Sequence, residues 1–309
     1  MEPVRIALIG ASGMMGRIRL EQLNNEPRAK LVAVCGRDVD KLKRAVGEHE
    51  IGLSTRPQDL YESDEVDAVA ICIFNALHYE HAKQALQAGK HVLCEYPLAD
   101  SLEQYDELAG LAQEQGVVLH HSMTVRAESL HRTMKKALAD LGEPRCAYYR
   151  YYGGSSWYID PDKRGDLFCA LHIHFIDQFV DLLGQPEGLT AHGVEKDGKV
   201  SAVAMMQWPG GVTGTIEFCM GFTDKPGYMG TIVTTDGWCG FSTDPEMHVT
   251  ATRGGETQTL AVPADTSKEE DMASFLDEVL KTGGPQCDLA TGRNAIALCL
   301  ECSRQFAAG

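Results

Sequence analysis

The first third of the chain carries short apolar runs separated by stretches in which apolar positions recur at helical spacing. Residues 4–9 (VRIALI) predict a strand, followed by a glycine-rich turn and a helix over 14–24. A second strand is expected at 31–35. The run at 66–73 (VDAVAICI) is nearly continuous, as in a strand covered on both faces. A helix follows over 79–88, stopped by Gly89, and then a strand at 91–94. Ser101 with Gln104 three residues on has the spacing of a capping box and opens a further helix. A strand at 117–119 closes the series. Such alternation predicts right-handed βαβ units and a parallel sheet.

After about residue 122 the pattern changes. A helix is expected over 128–140, a strand at 145–152 and a helix over 172–183. Period-two runs follow at 190–195, 201–208, 212–220 and 229–235, with shorter ones to Val262. Turns such as Asp197-Gly198 and Pro209-Gly210-Gly211 separate them, which predicts an antiparallel meander. Helices over 268–281 and 290–307 end the chain. No low-complexity linker or internal repeat interrupts it. The expectation is an α/β domain over 1–122 and an α+β domain with a mostly antiparallel open sheet over 123–309.

Composition narrows the function classes. The 309 residues hold 44 acids against 28 bases, a formal charge of −16 that disfavours a phosphate-backbone partner. No run reaches the apolar length of a membrane span, and the opening MEPVRIALIG lacks the pattern of a signal peptide. A cytoplasmic protein is therefore expected, with no nucleic-acid or membrane partner. The ten cysteines lie in apolar strands and helices, as reduced buried thiols do. The one CxxC, Cys299 to Cys302, falls in a helical pattern with no second pair beside it, and no metal site is expected.

Gly10-Ala-Ser-Gly13-Met-Met-Gly16 lies between the first strand and the first helix. In that context it predicts a dinucleotide-binding turn of the Rossmann type, with Ser12 where a second glycine is usual. Gly10, Ser12, Gly13, Met14 and Met15 are the candidate pyrophosphate contacts. The second strand ends Val34-Cys35-Gly36-Arg37-Asp38. An acid there would bind a ribose 2′-hydroxyl and an arginine a 2′-phosphate. Gly36 removes the acid and Arg37 offers a guanidinium, so NADP(H) is favoured and NAD(H) is possible. Asp38 leaves the second choice open, since it could reach the ribose in place of Gly36.

Four pieces of sequence together resemble the glucose–fructose oxidoreductase, inositol dehydrogenase and MocA (Gfo/Idh/MocA) family over nearly the whole chain. They are the N-terminal turn, Asn75-Ala-Leu-His78, the segment Ala88-Gly-Lys-His-Val-Leu-Cys-Glu95-Tyr-Pro97, and His174-Phe-Ile-Asp177 seven residues before Gly184. The resemblance implies a Rossmann domain, a second domain whose sheet commonly serves in oligomer contacts, and hydride transfer between nicotinamide and a small substrate. It places Asn75, His78 and Glu95 at the cofactor and implies a homodimer or homotetramer.

In the family the residue between that glutamate and proline is usually a lysine, and an aspartate precedes the histidine by four residues. Here those positions are Tyr96 and Ala170, while His174 is kept. Three readings of Tyr96 stay open: an alternative acid, a shape or stacking residue, or the mark of a member without catalysis. The Glu-Tyr-Pro tripeptide resembles that of the family's biliverdin reductases, NADPH-linked enzymes that reduce a carbon–carbon bridge in a linear tetrapyrrole. The helix that offers arginines to the propionates in those enzymes reads Leu171-His-Ile-His-Phe-Ile-Asp here, with no arginine. A sugar-like ketone or alcohol is the leading substrate expectation. A C=N or conjugated C=C bond, or a silent cofactor-binding scaffold, are the alternatives.

His174 is the leading proton donor, with Tyr96 a second candidate. Asp177, one turn on, either orients the His174 ring or packs. His172 and His174 do not share a helix face, so His172 reads as a core residue. His120-His121 ends a strand, where function and plain surface are equally open. The aromatic run 148–152 reads as sheet packing. The loop 153–165, with Trp157, Asp160, Lys163 and Arg164, would border the substrate by analogy with the family.

Overall fold

The computed structural model describes residues 2–48, 50–153, 160–223 and 225–308. The chain divides into two compact units. One is Met1–Met123 with Lys268–Asn294, the other Thr124–Ser267 with Ala295–Gly309. The sequence reading put all of 123–309 in one domain; the segment Lys268–Asn294 instead belongs with the first unit.

The first unit contains β1 (Val4–Ile9), α1 (Met14–Asn25), β2 (Ala29–Cys35), α2 (Val39–Val46), β3 (Gly52–Ser54) and α3 (Gln58–Tyr61). It continues with β4 (Ala68–Ile71), α4 (His78–Gln87), β5 (His91–Glu95), α5 (Leu102–Gln115) and β6 (Leu119–Ser122). The six strands form one sheet in the order β3-β2-β1-β4-β5-β6, every neighbour parallel. Strand order reverses between β1 and β4, the place where open α/β sheets bind ligands. Ile6, Leu8 and every residue of β4 have no exposed surface, and each large apolar side chain so buried contributes about 2 kcal/mol. Ser101 caps α5 through Gln104 N at 3.2 Å, while the Gln104 side chain bonds back to Asp100 N at 3.1 Å.

The second unit begins with α6 (Ser129–Leu138) and β7 (Pro144–Gly153), then α7 (Pro161–Arg164), α8 (Leu167–Leu171) and α9 (Ile173–Leu183). Its remaining strands are β8 (Gly188–Lys196), β9 (Lys199–Trp208), β10 (Val212–Met220), β11 (Gly227–Thr234), β12 (Gly237–Ser242), β13 (His248–Arg253) and β14 (Glu256–Leu260). They form an eight-stranded sheet, β14-β13-β12-β11-β7-β10-β9-β8. The expected meander is interrupted: β7 inserts between β11 and β10 and runs parallel to β10. Burial alternates along β9 and β10, so one face is covered and the other open. Val194, Met205 and Val233 are exposed, and Met205 and Val233 lie on the open face. The helices α10 (Ser267–Leu280) and α11 (Leu289–Ala308) complete the chain.

The reason Lys268–Asn294 joins the first unit is visible in α10. Met272, Phe275 and Leu276 enter the core formed by β1, β4 and α1. On the same helix Asp271 reaches Arg19, whose side chain has no exposed surface. Arg19 Nε donates to Glu95 Oε1 at 2.9 Å, and Nη1 donates to Gln22 Oε1 at 3.1 Å and Lys268 O at 3.2 Å. Its Nη2 donates to Ser122 Oγ at 2.7 Å and to Asp271 Oδ2. Those contacts engage all five N–H groups of the guanidinium.

His120 extends the network, with Nε2 3.0 Å from Asp271 Oδ1 and Nδ1 2.5 Å from Glu278 Oε1. Burial alone would lower its pKa, but the two carboxylates outweigh that and push it up to about 9. Asp271, which burial alone would raise, is held down to about 2 by Arg19 and His120. A proton held more tightly by the folded chain stabilises it fully below the unfolded value of about 6.5, and this contribution is lost as pH rises through 9. The thermal midpoint should therefore fall between pH 6.5 and 9.5, and the fall should shrink in His120→Gln. Parallel pH profiles for the two proteins in calorimetric scans would remove His120 as the cause.

Candidate functional site

The first unit's site starts at the turn after β1. Gly10 has φ +90°, and a Cβ there would lie 2.1 Å from Cys72 O. A Cβ at Gly16 would lie 2.1 Å from Gly10 O, so only glycine lets α1 begin this close to the turn. Gly10 N donates to Cys35 O and Gly13 N to Gly10 O, which shapes the turn under the start of α1. Gly13 is the N-cap and offers no side-chain acceptor to the first amides of the helix. These amides and the helix dipole are the features that receive an anion. Ser12 is half-buried and Met14 is 73% exposed on the helix start, while Met15 packs against the core.

The ends of the neighbouring strands supply the rest. Gly36 cannot carry an acid, and the Asp38 carboxylate caps α2, accepting from Lys41 N at 3.0 Å. That backbone bond also lowers the Asp38 pKa. Arg37 is exposed, its guanidinium carbon 5.8 Å from the Phe74 ring centre. Asn75 is buried in the short turn Asn75–Leu77 that leads into α4.

His78 and Glu95, expected at the cofactor, are both buried. The His78 ring is fully buried, with Nδ1 2.8 Å from Pro97 O and Nε2 3.2 Å from Ile73 O. Burial lowers its pKa, and the ring lies between two backbone carbonyls, to one of which a neutral imidazole donates. The Glu95 carboxylate is held by Arg19, and burial nonetheless raises its pKa. Half-buried Tyr96 thus stands between two anchored neighbours, Glu95 on Arg19 and Pro97 on His78. The backbone that presents its phenol is fixed from both sides.

In the second unit His174 is half-buried in the first turn of α9. Asp177, 1% exposed, accepts from Arg126 Nε at 2.8 Å and Nη2 at 2.7 Å. This bidentate pair ties the segment before α6 to the helix that carries His174. Ala170 is buried in α8, where no acid takes its place. His172 is fully buried against Phe168 and Phe218 and its ring nitrogens have no hydrogen-bond partner among the described residues. Burial holds it well below the usual imidazole range, and it is a core histidine.

His121 is also buried, 3.3 Å from the Tyr105 hydroxyl, and with His120 lies inside the first unit and away from its surface. Arg164 is buried and bonds Glu195 at 2.7 and 2.8 Å, and Lys163 bonds Asp160, so both cations of the predicted substrate loop are paired. Trp157 lies outside the described residues.

Sequence reasoning missed Arg19, Asp271, Phe74 and Arg126. Arg19 was legible in part: it lies three residues after Gly16 and four before Leu23, on the buried face of α1. A charge there demands a buried partner. Nothing in the sequence named Asp271 as that partner across 252 positions.

Comparisons with known proteins identify the family and its fold. The model of the oxidoreductase family with an NAD-binding Rossmann fold matches residues 4–123, and that of the GFO/IDH/MocA C-terminal domain matches 131–254. The D-glucoside 3-dehydrogenase of Escherichia coli is 28% identical over 207 residues, 63% of this chain and 59% of that protein. The dTDP-3,4-didehydro-2,6-dideoxy-alpha-D-glucose 3-reductase of Actinomadura kijaniata is 32% identical over 171 residues, 53% of this chain and 48% of that protein. The chain thus matches about half the length of these curated relatives. Among solved structures, biliverdin reductase from Synechocystis with biliverdin and NADP+ has a TM-score of 0.90 at 23% identity, covering 99% of both chains. A 3-ketoreductase from Actinomadura kijaniata with NADP has a TM-score of 0.86, also at 23% identity, covering 100% of this chain and 98% of that one. With the turn at Gly10, the anchored Glu-Tyr-Pro segment and the two matched domains, the chain belongs to the Gfo/Idh/MocA family of oxidoreductases.

Proposed function

We propose that the protein is an NADPH-dependent oxidoreductase acting on a ketone or hydroxyl of a sugar-like compound, with His174 as the group that handles the substrate proton. The observation that carries the cofactor half is the Gly10 turn, whose backbone a side chain would block, beside an arginine whose acidic neighbour is engaged as a helix cap. These residues fit a dinucleotide: the start of α1 for the pyrophosphate, Arg37 for a 2′-phosphate. When bound, the nicotinamide supplies the hydride. His174 exchanges the proton of the substrate oxygen, and Tyr96, its backbone fixed by Arg19 and His78, positions or assists. Asp177 fixes α9, the helix that carries His174, through its bidentate pair with Arg126. Curated relatives named for sugar substrates support the substrate class.

A conjugated C=C bond, as in a bilin, is the second reading. It rests on the Glu95-Tyr96-Pro97 tripeptide, and α9 offers no arginine for an acidic tetrapyrrole. A cytoplasmic location accords with ten cysteines that are all free thiols, and no described helix is long and apolar enough to cross a membrane. The open face of the eight-stranded sheet, with Met205 and Val233 exposed, is read as the seat of a second copy of the chain. Light scattering at micromolar concentration should give a dimer or tetramer, and a monomeric mass would remove this assignment.

Calorimetry should show tighter binding of NADPH than of NADH, with Arg37→Ala weakening NADPH selectively; equal or tighter NADH binding overturns the cofactor assignment. NADPH oxidation should be found with sugar ketones in a panel that also holds imines and biliverdin. Turnover of biliverdin alone moves the function to the second reading, and no turnover at all moves it to a silent scaffold. On the active substrate His174→Ala should lose about 10²–10⁴-fold in rate, the usual worth of a general acid. Tyr96→Phe, which removes only a hydroxyl, should lose less. An inactive Tyr96→Phe beside an active His174→Ala would reverse the two roles.

A further inference from the structure

Strands β2 and β4 both pair with β1, so the loops that leave their C-terminal ends flank the Gly10 turn on either side. One loop carries Arg37 and the other Phe74, and the guanidinium carbon stands 5.8 Å from the ring centre. That is within the range of a cation–π contact. We infer that Phe74 is a specificity-determining positioning residue, whose ring holds the Arg37 guanidinium ready for the 2′-phosphate of the dinucleotide. The inference rests on the dinucleotide reading above and adds to it a residue with no charge of its own.

Three features make the contact more than a surface coincidence. Arg37 forms no hydrogen bond or ion pair with another described residue, in a chain with a formal charge of −16. The adjacent carboxylate, Asp38, is turned to the start of α2, with Oδ1 on Lys41 N at 3.0 Å and Oδ2 3.7 Å from Lys41 Nζ. It therefore does not neutralise the guanidinium. At Gly36 a Cβ would lie 3.1 Å from Leu42 Cδ2, so any larger side chain there would require the buried leucine of α2 to give by a few tenths of an ångström.

The physical effect is preorganisation. A free arginine side chain loses rotamer freedom when it grips a phosphate, and its planar fork must be presented edge-on to bond two oxygens. The contact with Phe74 restricts the guanidinium without using any of its N–H donors on an acceptor among the described residues. The ring therefore lowers the cost of binding a phosphate monoester at this place and does nothing for a ribose that lacks one. An exposed cation–π contact corresponds to about a two- to fivefold change in an equilibrium.

The test is equilibrium binding of 2′,5′-ADP and 5′-AMP, and of NADPH and NADH, to the full chain by calorimetry. The variants are Phe74→Leu, Arg37→Ala and the double substitution. Leucine keeps an apolar side chain and removes the π face, so the fold is retained. Phe74→Leu should weaken 2′,5′-ADP and NADPH about two- to fivefold and leave 5′-AMP and NADH unchanged. In the Arg37→Ala background the same substitution should have no further effect on the phosphorylated ligands. Equal losses for both members of each ligand pair would mean that the ring stacks on adenine, which overturns the inference. So would a Phe74→Leu effect that persists without Arg37. A wild-type protein that binds neither dinucleotide fails at the earlier step, the dinucleotide reading itself.

Discussion

A single buried guanidinium organises the first unit. Arg19 places a full charge where water cannot reach it, and such a charge is tolerable only if every donor is paired. Its five N–H groups meet acceptors from α1, the ends of β5 and β6, and α10. Removing one acceptor leaves a buried charge uncompensated, a loss of about 3–5 kcal/mol in such settings, against total stabilities of about 5–15 kcal/mol. The network therefore sets register as well as stability: α10 docks only where Asp271 meets Arg19. It also fixes Glu95, and through it the residue that follows.

That constraint explains why Tyr96 is presented as it is. The peptide flanking it is held by an ion pair on one side and by the neutral His78 ring on the other. Glu95 and His78, which the family resemblance placed at the cofactor, are both buried and bonded within the first unit. The same holds in the second unit, where Asp177 grips Arg126 and fixes α9. In each unit a buried acid fixes the backbone beside a residue proposed for the chemistry.

How much of this was legible in the sequence depends on the range of the interaction. Local periodicity gave β1, β10 and α9 to within a residue or so, and the glycine spacing gave the turn, because those signals lie within one element. Helix α2 was missed, since Val39–Val46 buries only Leu42 and Val46 and reads as a polar stretch. The insertion of β7 beside β10 was not visible: its partners are more than 60 residues away, and alternation is the same for parallel and antiparallel neighbours. The return of Lys268–Asn294 to the first unit was hidden for the same reason. Arg19 and Asp271 each look like ordinary helix charges until they are brought together. Sequence reading offered Asp38 to the ribose and missed that its carboxylate caps α2 through a backbone amide three residues away.

The altered proton-handling positions bear on the direction of the proposed reaction. Oxidising an alcohol needs a base to take the hydroxyl proton, which a lysine with a carboxylate nearby can be tuned to supply. Here the lysine position is Tyr96 and the acid position is Ala170, buried in α8. A phenol ordinarily keeps its proton at neutral pH, with a pKa of about 10, so it donates readily and accepts only after costly deprotonation. Reduction of a carbonyl or a conjugated bond asks for a donor and makes no demand on a base. A histidine ordinarily titrates near 6.5 and serves either direction. With Tyr96 and Ala170 at these positions, the proposed proton exchange falls to His174, whichever bond is reduced or formed.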